Sequence, residues 1–337
     1  MIQSPDYNDG GEDEGVSSTA VQHFDALAGA GERIDRFLAK VLAPVSRTRI
    51  QRWFELGAVT VEGRAVLPRR KLSGFERIEV TPIPHEAESA FAPDPVDFQI
   101  IHEDSHLMVV DKPVGLVVHP AAGHWRQTLM NGLLHARPDS ARLPRAGIVH
   151  RLDKDTSGLM LVARSERAFD SLTRMMAERS IRRTYLALCH GALRQPQTLE
   201  RPIGRDPRHR QRMAVLEDGR GRDARTHINP LFVSDSLSLV CCRLDTGRTH
   251  QIRVHLASIG HPLLADRLYG GSPHDSIDRQ ALHAFALGLT HPESGETIQF
   301  RSALPADMAA VVSGLGLSES VLSDEVNRLL KAVGGRP

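Results

Sequence analysis

The chain has 337 residues, of which 41% are hydrophobic and 25% charged, and its formal net charge is +1. That is enough for two domains and close to the composition of globular enzymes. The near-neutral balance excludes a histone-like polycation. Three cysteines without a CxxC pair exclude a disulfide framework or a cysteine zinc site, and no run of about 18 apolar residues suggests a spanning helix. The N-terminus lacks a basic start followed by an apolar stretch, so a soluble, unsecreted protein of a reducing cytoplasm is expected, with no membrane association.

Residues 1–30 hold six acidic residues and no Lys or Arg, and should form a disordered acidic leader. Residues 31–82 reverse the balance, with eleven Lys plus Arg against six Asp plus Glu. Ile34, Phe37, Leu38, Val41 and Leu42 recur at helical spacing, predicting a short amphipathic helix. Ser46 supplies an N-cap for a second helix that Gly57 closes. VTVEGRAV then alternates around a Glu62–Gly63 turn, and KLSGFERIEV reads as a further strand. Arg49 and Arg52 are three apart, with Arg47 beside them in the first turn. A solvated face would account for them, but cations early in a helix oppose its dipole, which favours phosphate binding as their purpose. The segment resembles the RNA-binding module named after ribosomal protein S-four, through Ser-Arg-x-x-Ile at Ser46–Ile50 and the Val-x-Val-Glu-Gly pattern at Val59–Gly63.

Four prolines between Pro82 and Pro95 mark a linker, taken as residues 83–96. The strands predicted beyond it are QIIHED, HLMVVDKP, GLVVHPA, GIVHRLD, LMLVAR, RTYLALCHG, SLSLVCCRLD, ALHAFALGL and TIQFRSA. QTLMNGLLHA, SERAFDSLTRMMAERS and THQIRVHLASIG read as helices. Without regular βαβ alternation, the class expected for residues 97–315 is α+β, with a mixed, largely antiparallel sheet. Residues 316–337 form a helical tail of no assigned role.

The densest polar cluster is His150, Arg151, Asp153, Lys154, Asp155, Thr156 and Ser157, bracketed by apolar runs. A capped hairpin turn would need only Asp, Ser and Gly. Asp153 directly follows Leu152 at the edge of a buried strand, where a carboxylate is costly unless paired, so a nearby Arg is required. Arg248, His250, Gln251, Arg253 and His255 crowd the start of a later helix and could supply it; Arg248 also fits simple phosphate contact. Tyr185, one of three tyrosines, reads by itself as core packing.

Together these pieces resemble the RluA-like family of pseudouridine synthases. His-Arg-Leu-Asp-x-x-Thr-Ser-Gly stands at His150–Gly158, Arg-x-Tyr-x-Ala at Arg183–Ala187, and Thr-Gly-Arg-x-His-Gln-Ile-Arg-x-His at Thr246–His255. Asp111–Gly115, Gly260–Pro262 and Asp266–Gly270 extend the match, and LPRAGIVHRLDKDTSGLMLVA is similar to the RluD branch. The resemblance implies the pseudouridine synthase fold and isomerisation of uridines in large-subunit ribosomal RNA. It implies Asp153 as the catalytic carboxylate, Arg253 as its cationic partner, Tyr185 against the displaced base, and Arg151 as the wedge that replaces a flipped base. Arg47, Arg49, Arg52 and Arg248 are expected to contact RNA. No metal or organic cofactor is implied, and a monomer acting on ribosomal RNA or an assembling particle is expected. Three other readings are an RluC-like target set, a non-catalytic RNA-binding assembly factor, and an aspartic protease suggested by Asp245-Thr246-Gly247. The last is opposed by Arg248 and His250 beside it, which disfavour proton sharing between carboxylates.

Overall fold

The computed structural model describes residues 20–83, 90–121, 123–209, 211–216 and 219–332. The chain divides into two compact units, Met1–Ala90 and Phe91–Pro337.

In the first unit, β1 (Gln22–Asp25), β2 (Val59–Val61), β3 (Arg64–Ala65) and β4 (Arg77–Val80) form an antiparallel sheet in the order β1-β4-β2-β3. The helices α1 (Ile34–Val41) and α2 (Arg47–Glu55) complete it. Ile34, Phe37, Leu38, Ile50 and Trp53 are buried in one core with Val59, Val61, Ile78 and Val80, while Val41 is exposed. The Ser46 hydroxyl accepts the Arg49 N–H as an N-cap, and both Glu62 and Gly63 adopt positive φ in the β2–β3 turn, as a tight hairpin requires. The acidic leader lies outside the described residues as far as residue 19, but its expected end at residue 30 is too late. Gln22–Asp25 already pairs with Arg77–Val80, because Phe24 adds its side chain to the apolar core.

The second unit is built on a nine-stranded sheet. Its strands are β5 (Gln99–Glu103), β6 (Leu107–Lys112), β7 (Ser157–Ala163), β8 (Arg182–His190) and β9 (Gln197–Glu200), then β12 (Arg225–Val233), β13 (Leu237–Leu244), β14 (Leu282–Thr290) and β15 (Thr297–Arg301). The order is β5-β6-β7-β14-β8-β13-β12-β9, with β15 beside β14; β10 (Ile203–Arg205) and β11 (Met213–Val215) form a separate hairpin. Only β7 and β14 pair in parallel, so the sheet is mixed and largely antiparallel, in agreement with the expected class. Helices α3 (Leu129–Ala136) and α5 (Gln251–Ser258) bury against one core cluster, α4 (Glu166–Ala177) against a second, and α6 (Ala306–Gly314) and α7 (Glu319–Ala332) against a third.

Several boundaries differ from expectation. Residues 84–89 of the linker lie outside the described residues, but Asp94 already belongs to the second unit, its carboxylate bonded to Arg126 and the Gln127 N–H. The tail is an integral helix, with Leu322 and Val326 buried. GLVVHPA is not a strand. GIVHRLD is not one either: Arg145 and Ala146 take positive φ, and only Ile148 makes a bridge, to Val162. β9 to β12 carry no clear strand signal in the sequence: β9, β10 and β11 are only three or four residues long, and β12 is interrupted by a bulge between Pro230 and Phe232.

Two glycines fix the approach to the polar loop that precedes β7. A Cβ on Gly147 would lie 2.2 Å from the Ala163 carbonyl oxygen, and one on Gly158 would lie 2.3 Å from that of Ala284. Gly158→Ala should therefore lose about 3 kcal/mol or more in urea unfolding, combining strain with a backbone clash. Gly316→Ala, at positive φ but in open space, should lose about 1 kcal/mol. Equal losses would contradict the crowding argument.

Candidate active site

The site grows from the irregular segment 150–156. Burial pushes His150 down to about 3, aided by the Arg183 charge. The ring is therefore neutral, and its Nε2 accepts the Leu161 N–H at 2.8 Å. A side chain thus takes the place of a strand partner on β7. Beyond it the backbone turns, with Thr156 N–H donating to the Asp153 carbonyl at 3.1 Å.

Two cations hold this turn from behind through its carbonyls. Lys112 is fully buried, and its Nζ donates to the carbonyls of Pro113, Leu116 and Lys154 at 2.8–2.9 Å. Arg279 donates to the Asp155 carbonyl at 2.9 Å and is itself held by the Asp307 carboxylate at 2.6 and 2.8 Å. Three acceptors match the three N–H bonds of a charged ammonium, while burial lowers the Lys112 pKa to about 7.

With its backbone fixed, the Asp153 carboxylate meets Arg253 of α5. Arg253 Nη1 donates to Asp153 Oδ2 at 2.9 Å, and its Nε and Nη2 grip the two oxygens of Asp266 at 2.8 and 2.9 Å. Asp266 is sealed, its side chain 1% exposed, whereas that of Asp153 is 16% exposed. Burial works against the guanidinium charge, yet the two carboxylates more than offset it and hold Arg253 firmly protonated. The Tyr269 ring lies under the same guanidinium, 5.0 Å from centroid to Cζ. Its hydroxyl accepts the Met213 N–H at 2.9 Å and lies 2.7 Å from His250 Nδ1. His250 Nε2 stands 3.9 Å from the other oxygen of Asp153.

The structure thus brings Asp153 and Arg253 together. Tyr185 is buried on β8, and burial raises its pKa, with the Asp153 charge acting in the same direction. Arg151 is exposed. Arg248 is half-buried, its Nε donating to the Asp223 carbonyl at 3.0 Å. In the first unit the three arginines do not present one open face. Arg47 bonds Asp35 at 2.6 Å, Arg52 pairs with Glu55 at 2.8 Å, and Arg49 is turned inward over the Trp53 ring at 5.6 Å. Arg49 lies too far round α2 from Arg47 to share its exposure.

Asp245 is surrounded by cations and a histidine, with Arg225, Arg243 and His227 at 3.0–3.8 Å, which disfavours proton sharing with a second carboxylate. Among the described residues no group of three or more His, Cys, Asp or Glu could hold a metal, and no helix is long and apolar enough to cross a membrane. All three cysteines are free and buried. Sequence reasoning assigned no role to Lys112, Asp266, Tyr269 or His250, although each stands in a motif quoted for the resemblance.

Lys112 has a pH signature. Its folded pKa lies below the unfolded value of 10.5, so between about pH 7 and 10 the unfolded chain binds a proton that the folded one releases, and stability gains with rising pH. Urea unfolding of wild type relative to Lys112→Met should show wild type gaining across that window. A flat difference would mean that the ammonium stays fully charged when folded.

A family model described as RNA pseudouridylate synthase matches residues 106–258. The chain is 46% identical over 310 residues to ribosomal large subunit pseudouridine synthase D of Neisseria meningitidis serogroup B, covering 88% of this chain and 83% of that protein. It is 44% identical to the protein of the same name from Nitrosomonas europaea, covering 92% of each. Among solved structures, human RNA pseudouridylate synthase domain containing 4 shares the fold, with a TM-score of 0.51 at 23% identity, over 65% of this chain and 93% of that one. Identity of this level over most of both chains settles the relationship: the chain belongs to the RNA pseudouridylate synthase family, whose members are enzymes that isomerise uridine to pseudouridine.

Proposed function

We propose that this enzyme modifies uridines of large-subunit ribosomal RNA, in a stem-loop of the RluD type, and that Asp153 is its catalytic carboxylate. The observation that carries the assignment is the asymmetry of that carboxylate. One oxygen is fixed by Arg253, while the other has no hydrogen-bond donor among the described residues, stands 3.9 Å from the His250 ring and is available to an incoming sugar. The names of the Neisseria and Nitrosomonas relatives support the substrate.

The reaction breaks the N1–C1′ bond, turns the uracil and joins C5 to C1′; the C5 proton leaves and N1 gains one. Positive charge develops on the sugar, as in glycoside hydrolysis, where a carboxylate attacks the anomeric carbon or stabilises the cationic state. Arg253 keeps Asp153 ionised and aimed. Tyr185 stacks on the displaced uracil, with removal of the C5 proton by its hydroxyl kept open as a second role. The target nucleotide leaves its stack to reach Asp153, at a cost of a few kcal/mol, and Arg151, exposed at the rim, fills the vacated space. The first unit acts as an S-four-type module whose Arg47 and Arg52 contact phosphates; Arg49 serves its core instead. Arg248 adds a further phosphate contact. The enzyme acts as a cytoplasmic monomer.

Tritium release from large-subunit ribosomal RNA labelled at uridine C5 tests the reading. Wild type should release tritium, and Asp153→Asn should be slower by at least about a thousandfold, ~4 kcal/mol of barrier, while still binding the RNA. Mapping the modified positions then distinguishes RluD-type from RluC-type targets. Release by Asp153→Asn at the wild-type rate would refute the assignment, and no release by wild type would refute the substrate.

Electrostatic binding has its own signature. Replacing Arg47 and Arg52 by Ala together should flatten the dependence of log affinity on log salt by about 1–2 units. Arg33 continues to hold Asp35, so the first unit remains folded. An unchanged slope would place the RNA elsewhere.

A further inference from the structure

Arg183 is a buried cation without a counter-ion. It is 5% exposed, its Nε has no hydrogen-bond partner, and its Nη2 makes one long bond, 3.4 Å, to the Asp245 carbonyl. Among the described residues no carboxylate pairs with it. Asp245, the acid whose charge reaches it, is committed to His227, Arg225 and Arg243. A buried, uncompensated guanidinium is unfavourable and needs a reason.

The loop above it supplies one. An ideal Cβ on Gly247 would lie 2.6 Å from Arg183 Nη1, yet Gly247 itself is exposed. Its φ is outside the left-handed region, so the backbone does not require glycine; the guanidinium itself fills the space a side chain would take, with Nη1 directly beneath the exposed loop. Arg248 follows directly, and burial together with the Arg222 and Arg179 charges lowers its pKa. Two arginines thus border this loop. Arg183 and Tyr185 are alternate residues of β8, opposite Leu244 and Cys242 of β13, so their side chains leave the same face. The step between them is on the scale of one nucleotide.

We infer that Arg183, reached past Gly247 and flanked by Arg248, is a subsite for a backbone phosphate adjoining the uridine that enters the active site. This rests on the RNA reading given above. The anion supplies the charge that the protein withholds, so the subsite favours RNA only when a flipped nucleotide brings its phosphate to the loop.

Arg183→Met provides the test. In the RNA-free protein, loss of an unpartnered buried cation should leave Tm unchanged or raise it; a fall of several degrees would reveal an internal partner and overturn the proposal. The second arm uses a stem-loop RNA carrying the mapped uridine, with a methylphosphonate at either phosphate flanking it. At one of the two positions wild type should lose about tenfold in kcat/KM, whereas Arg183→Met, already slower by a similar factor, should lose no more. Equal losses in both proteins would overturn the subsite. Inactivity of wild type on unmodified stem-loop would count against the RNA substrate alone. Inorganic phosphate then decides the subsite, which requires a larger rise in Tm for wild type than for Arg183→Met and is refuted by equal shifts.

Discussion

Everything at this site depends on one guanidinium held between two carboxylates. Arg253 is buried and would be destabilising there without anions, and the fully sealed Asp266 satisfies two of its N–H groups in fork geometry. One N–H of Nη1 is then left to point at Asp153. Asp266 thus anchors the arginine, and the arginine orients the more exposed carboxylate. A single Arg–Asp pair would let both side chains pivot; the second acid removes that freedom before substrate arrives.

The rest of the second unit brings those three residues together from distant parts of the sequence. Asp153 sits on a turn whose carbonyls are tied to Lys112 at the end of β6 and to Arg279 ahead of β14. Arg253 rides on α5, which buries Ile252 and Leu256 in the core and is held in addition by polar contacts. Gln251 bonds Thr246, Thr226 and the Arg225 carbonyl, and His255 lies against Thr226 and the Arg201 carbonyl. Buried polar groups of this kind tolerate little displacement, because each lost partner costs about 1–3 kcal/mol. Charge in this core is used to set positions, and Arg183 departs from that pattern by lacking a counter-ion of its own.

Much of this was legible in the sequence where local chemistry and tertiary context agree. Ser46 and Gly57 bound α2 as expected because a hydroxyl capping a backbone N–H and a positive-φ glycine both act within a few residues of the helix end. Asp153 next to Leu152 announced a carboxylate needing a cation, and Arg253 proved to be in place. Reading failed where tertiary contacts override local pattern. GIVHRLD alternates and is apolar enough for a strand, but Gly147 packs directly on the Ala163 backbone and His150 replaces a peptide partner. Arg49 looked like a surface cation, yet Trp53 lies one turn away and takes its guanidinium. Asp266 stood in a quoted motif without a role, since nothing local shows that an acid thirteen residues beyond Arg253 folds back beneath it.

The most direct measurement is the single-turnover rate of pseudouridine formation by Asp266→Asn, with RNA affinity measured alongside. The substituted amide would keep the volume of the carboxylate but not its fork of charge, and at this sealed position it touches no part of the RNA. A fall of about tenfold or more in rate, with affinity unchanged within about twofold, is expected if Arg253 must be braced to aim Asp153. A full rate would show that Asp153 works without that brace and would contradict the account at its centre.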